Sequence, residues 1–287
     1  SENQKTSQEP NTGLRRPSEL ADSTNDFRWK DLSALNIHYG NGAIEMFEDT
    51  PDFLYNTSLL LRNAKKEQLF NAWDNDSLTE GWNNEKRSLA RYMSNVLLKE
   101  RSSAEKRERV TDSFVNFLLG VLKFNEYPLS LELKADCYFK VHNKKVTSET
   151  NFSIWKGNPF VIIDEDKHLH NVIKSTLWGE CQIAGELLAS AFVNHEEIQG
   201  RYRFQSLFAI HVIGTQFTFY RAKIGFNYLN NLSEGFPNDK MRIYRYPVYQ
   251  DTKQILCFDY TDPDQRKKIL DILIKIKIFV IQNKTIK

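Results

Sequence analysis

Four consecutive apolar residues, Phe160 to Ile163, run directly into Asp164-Glu165-Asp166-Lys167. The turn-forming Gly157, Asn158 and Pro159 precede them, so the segment reads as a central strand covered on both faces and charged at its tip. Side chains alternate along a strand, which sends Glu165 and Lys167 to one face and Asp164 and Asp166 to the other. A carboxylate beside an ammonium can hold a divalent cation and steady a nucleophilic water, the chemistry that hydrolyses a phosphodiester. A strand end that merely meets solvent also carries charges, so the surrounding elements must decide between the two readings.

Downstream polar residues read more simply. His168 and His170 fall in a loop, His195 in the loop after a helix, and His211 in an apolar strand as a core residue. Glu180 and Glu186 read as helix-surface charges, with Gln182 and Glu186 sharing a face at i and i+4. Asp52-Phe53 after Pro51 reads as a helix or turn start. No glycine loop able to cradle phosphate and no Ser-His-Asp logic is present, so P-loop hydrolysis and acyl transfer have no support.

The chain has 287 residues, 40% hydrophobic and 26% charged, enough for one sizeable core with an accessory segment. Its formal charge of +2 gives no global attraction for nucleic acid, so such a partner must meet a local patch. From Lys240 to Lys287 there are eleven Lys or Arg against five Asp, with Tyr244, Tyr246 and Tyr249 near Arg242 and Arg245. That mixture suits phosphates and stacked bases, and Arg201, Arg203 and Arg221 would extend it. Cys137, Cys181 and Cys257 are widely spaced, which argues against a zinc ribbon or disulfide framework and for a reducing, intracellular setting. The longest apolar candidate, Ile269 to Ile281, is interrupted by Asp271, Lys275 and Lys277, so no membrane span is expected.

Residues 1–26 are polar and read as a flexible tail, in which Leu14-Arg15-Arg16-Pro17-Ser18 offers a basic docking or phosphorylation site. Residues 27–109 read as a helical accessory region, with Leu59, Leu69, Trp73, Leu89, Met93 and Val96 at helical spacing. Residues 110–287 read as the main domain. Its first helix covers Thr111 to Phe124, and alternation from Leu131 to Val141 gives a strand that turns at Asn143-Lys144-Lys145 toward Asn151 to Trp155. The acid-tipped strand follows, then a helix from Gly179 to Val193, a hairpin of Ser206 to Ile213 with Gln216 to Ala222, and a last helix opened by Pro263-Asp264. The fold class is therefore α/β (α+β), a mixed β-sheet flanked by helices and preceded by a helical segment.

Glu165-Asp166-Lys167, the helix from Gly179 to Glu186 and the strand Phe217 to Arg221 together resemble the PD-(D/E)XK nuclease superfamily, and within it the nuclease-like C-terminal domains of Crinkler effectors. The resemblance implies a restriction-endonuclease-like sheet, with Mg²⁺ or Mn²⁺ as cofactor and DNA as the polymer; RNA stays open beside it. It also implies that Glu165 ligates the metal, Lys167 orients the attacking hydroxide, and Gln182 supports the water or the phosphate. The family's other acid falls at Asn151, whose amide offers an oxygen but no charge and so binds a divalent cation more weakly. Glu149 is a substitute if its strand continues to Asn151, and Asp164 is another if the strand end is twisted. Glu108 or Asp112 would supply an acid from the preceding helix. Two outcomes follow: a metal-dependent deoxyribonuclease, or a degenerate nuclease fold that serves as a DNA-binding or protein-interaction module. The effector resemblance further implies nuclear action, with secretion before host entry if a leader preceded Ser1.

Overall fold

The computed structural model describes residues 13–42, 57–165, 176–248 and 257–287. Lys167, with Asp166, His168, His170, Tyr249 and the Pro51-Asp52-Phe53 segment, lies outside the described residues.

The apolar run forms β6 (Asn158–Glu165), buried from Pro159 to its end. It lies antiparallel to β5 (Phe152–Lys156) and parallel to β7 (Phe204–Ile213), so neighbours cover both edges and its residues need no alternation. A parallel pair requires a crossover, which α5 (Thr176–Glu197) supplies. β7 turns through Gly214 at φ 61° into β8 (Gln216–Gly225), the expected hairpin. Beyond β8 lie β9 (Met241–Tyr246) and then β1 (Ile37–Asn41), parallel to β9; a short β10 (Phe258–Asp259) also pairs β8. β2 (Ser130–Leu133) pairs β5 and closes the opposite edge of this eight-stranded mixed sheet.

The alternating stretch from Leu131 to Val141 is not one strand. The chain breaks at Lys134, φ 47°, and β3 (Asp136–Val141) pairs with β4 (Lys144–Glu149) in a separate two-stranded sheet. Alternation reports a half-buried strand but not its partner.

Helices cover both faces of the main sheet. Consecutive β6 residues point to opposite faces, and registers carry the division across the sheet: Val161 aligns with Phe208 and Arg221, whereas Ile162 aligns with Ala209 and Tyr220. On the first face Phe217 meets Phe114 of α4 (Ala104–Val121), and Phe208 meets Phe279 of α7 (Pro263–Ile281). On the second, Arg245 and Tyr39 meet Glu180 of α5. Capping fixes where these helices start: Asp262 accepts from the amides of Asp264 and Gln265 ahead of α7, with Pro263 at its first position.

The expected division of the chain is revised at two points. One hydrophobic cluster runs from Leu20 to Val280, α4 crosses the 109/110 boundary, and β1 from the helical region belongs to the main sheet. Residues 13–26 are docked rather than loose. Leu20, Thr24 and Phe27 are buried, the Ala21 amide donates to Asp31 and the Thr147 amide to the Asp22 carbonyl. Gly185 on α5 makes room for this strap, since a Cβ there would sit 2.7 Å from Thr24 Cγ2 and 2.9 Å from the Phe27 ring. A few well-spaced apolar anchors fix a segment whose average composition is polar.

Candidate metal-binding site at the end of the central strand

Glu165 ends β6 on the face covered by α4. Glu165 is 8% exposed, and among the described residues no amide, hydroxyl or cationic side chain donates to either carboxylate oxygen. Its partner is the Asp112 carboxyl of α4, and two such groups hydrogen-bond only when one of them keeps a proton. Burial is the largest influence on Glu165; the bond to Asp112 and the charges of Asp112, Glu108 and Asp164 act in the same direction. Together they push its pKa up to about 11. A cation set beside it would draw that pKa back down.

Asn151 organises the cluster. It sits in the bend between β4 and β5, where the pairing of Phe152 with Ile163 brings it level with the end of β6. Its Oδ1 accepts from the Glu165 amide at 3.3 Å, and its Nδ2 donates to Glu108 Oε1 at 3.5 Å. Glu108 and Asp112 lie four residues apart on α4 and so share the face toward the strand. Of the two acids offered from the preceding helix, Asp112 is thus the one that meets Glu165.

The other expected residues divide. Asp164 points to the opposite face, where its charge acts on Tyr39. Glu149 ends β4 and faces Asp136 across the small sheet, so the continuous strand required for its substitution does not exist. Gln182 lies on α5, across the sheet from α4, and its Nε2 donates to Glu186 Oε1 at 2.9 Å. It does not meet Glu165; the helix that does is α4, through Asp112.

Glu180 and Glu186 are not surface charges: both are almost fully buried. Glu180 receives a two-pronged hydrogen bond from Arg245, through Nε at 2.6 Å and through Nη2. Burial alone would lower the Arg245 pKa; the bonds to Glu180 outweigh it and leave the guanidinium firmly charged. Tyr39 donates to the Glu180 carbonyl at 2.6 Å beneath the Arg245 guanidinium. His195 lies within the last turn of α5, not beyond it.

The expected basic patch is also thinner than its composition. Arg245 serves Glu180, Arg221 lies between Phe208 and Phe279 and donates to Ser206, and fully buried Arg266 donates to the carbonyls of Leu60, Ala64, Tyr260 and Thr261. Arg201, Arg203 and Arg242 remain exposed.

Among the described residues, Asp112, Glu108 and Asn151 offer oxygen donors near Glu165, which suits Mg²⁺ or Mn²⁺. Among the described residues no three acidic, histidine or cysteine side chains already surround one cation position. A magnesium site ordinarily needs only one or two carboxylates, with waters and substrate phosphate completing it. Glu165 and Asp112 meet that requirement, and Glu108 stands behind Asn151. Comparison with known proteins finds no matching family model and no matching curated protein. No helix among the described residues is long and apolar enough to cross a membrane.

Proposed function

We propose that this chain is a divalent-metal-dependent nuclease of the PD-(D/E)XK type that acts on DNA, with an effector role and nuclear action as parts of the same reading. The observation that carries it is the buried meeting of Glu165 with Asp112 at the end of the central strand, with Glu108 tied in through Asn151. Glu165 and Asp112 would hold Mg²⁺ or Mn²⁺; when bound, such an ion polarises a phosphate oxygen and acidifies water. The protein's own part is to place these carboxylates where little water screens them, which strengthens their attraction for a cation. Asn151 fixes the strand tip against α4, and Lys167 is assigned the nucleophile-orienting role by its place two residues after Glu165. Incubating supercoiled plasmid with Mg²⁺ or Mn²⁺ tests the reading, with single-stranded RNA as a parallel substrate and Lys167→Ala beside the wild type. Metal-dependent cleavage that Lys167→Ala diminishes is expected; cleavage unchanged by that substitution would remove Lys167 from the site.

Asn151 supports a second reading, a nuclease fold that binds DNA without cutting it, because both ends of its neutral amide are engaged by neighbours. Asn151→Asp discriminates between the two. The substitution adds a fourth carboxyl to Glu108, Asp112 and Glu165, so in chelator it should cost about 1–3 kcal/mol of stability. Mn²⁺ should return that stability and raise cleavage above wild type. Urea denaturation with and without Mn²⁺ reads the first effect and plasmid cleavage the second. A variant that gains neither would show that position 151 is not the missing acid.

A further inference from the structure

A cleft of about 380 Å³ opens at the other end of the sheet, lined by Arg201, Tyr202, Arg203, Phe226, Asn227 and Asp239. Arg203 immediately precedes β7, whereas Glu165 is level with Val212 of that strand, which separates the two places by roughly 30 Å at 3.3 Å per residue. No single phosphate reaches both.

The cleft is built on a fixed frame. Arg203 donates its amide to the Lys287 carbonyl, and its own carbonyl accepts from the Phe226 amide at 3.2 Å. The Tyr202 hydroxyl accepts from Gln205 Nε2 at 2.9 Å and lies 2.6 Å from His195 Nδ1. Phe226 (the first residue of α6, Phe226–Asn231) packs edge-on against both rings, His195 and Tyr202. Arg201 lies over the Phe226 ring, its guanidinium carbon 5.5 Å from the centroid. Their backbone and aromatic support is ordered, yet among the described residues neither Arg201 nor Arg203 has a side-chain hydrogen bond or ion pair. Two arginines lining one aromatic-walled cleft are the chemistry that suits a phosphoryl group. Asp239 narrows the choice of ligand. Its carboxylate repels a bare anion but accepts from hydroxyl or N–H groups, as in ribose recognition.

We propose that this cleft binds a nucleotide unit, with the phosphate on Arg201 and Arg203, sugar or base donors on Asp239, and the aromatic wall beside the ring. The unit is either a free mononucleotide or the phosphorylated end of a strand, and the site is independent of the Glu165 cluster.

Calorimetric titration of the full chain in EDTA tests this with adenosine monophosphate, inorganic phosphate, and a short single strand carrying either a 5′-phosphate or a 5′-hydroxyl. Adenosine monophosphate or the 5′-phosphorylated strand should bind more tightly than inorganic phosphate or the 5′-hydroxyl strand; whichever binds identifies the source. The Arg201→Ala/Arg203→Ala variant should weaken that binding about tenfold or more, with an unchanged melting temperature because both side chains are exposed. Asp239→Ala should weaken it as well, whereas a merely repulsive carboxylate would make binding tighter. Glu165→Gln should bind as wild type does, so failure of the nuclease reading leaves this result intact. No phosphate-dependent binding, binding indifferent to the double substitution, or equal affinity for inorganic phosphate would overturn the proposal.

Discussion

Glu165→Gln should lower manganese-dependent plasmid cleavage by well over about a hundredfold, because even outer partners of metal ligands are worth roughly 10–100-fold. The substitution keeps the size and shape of a buried side chain and removes only its capacity for negative charge, so loss of fold is not the expected route. Asp112→Asn should act in the same direction, because Asp112 is the carboxyl that meets Glu165. Asp164→Asn is the informative control. It changes the neighbouring acid, but that acid faces the α5 side, and cleavage should persist. Equal loss in Asp164→Asn and Glu165→Gln would mean that the two faces of the strand tip act as one site.

Arg245→Ala should be the most damaging single truncation for stability outside the apolar core, at about 3–5 kcal/mol in urea denaturation. Arg245 is 8% exposed, and its guanidinium meets both carboxylate oxygens of Glu180, a residue only 1% exposed. Removing it leaves the Glu180 charge enclosed near Tyr39 and Tyr220 with no cation to offset desolvation. Replacing both partners, as Glu180→Met with Arg245→Met, should recover most of the loss, since a buried pair gains little over apolar side chains of similar volume. If Arg245→Ala alone were nearly silent, the contact would not anchor α5 to the sheet.

What the residues disclosed in advance follows from how local each signal is. The β6 run, the β7–β8 hairpin and the start of α7 are set by contiguous residues, through Gly214-Thr215 at the turn and Pro263-Asp264 at the helix start, and each appeared where expected. Pairing is not local. Alternation from Leu131 to Val141 could not reveal that the chain breaks at Lys134 and changes sheets. Glu180 was read as a surface charge because its partner Arg245 is 65 residues away, and nothing between them signals the contact. The docked strap depends on Thr24 and Phe27 finding α5, with Gly185 small enough to receive them.

The site was legible in the same uneven way. An apolar run that stops at Asp164-Glu165 identifies the strand tip, and strict alternation correctly sends these two acids to opposite faces. The sequence offered both Gln182 and an acid from the preceding helix, Glu108 or Asp112, and it is the preceding helix, α4, that meets Glu165. The i, i+4 spacing of Glu108 and Asp112 is the one advance sign that both acids share a face, but many solvated helices carry that pattern.

The central claim is that Glu165 and Asp112 together form a divalent-cation site. Anomalous X-ray scattering from crystals of the wild-type chain equilibrated with Mn²⁺ tests it most directly. The predicted result is a manganese peak against the Glu165 and Asp112 carboxylates that disappears in Glu165→Gln. A manganese-saturated crystal with no peak there, or a peak that survives Glu165→Gln unchanged, would contradict the assignment.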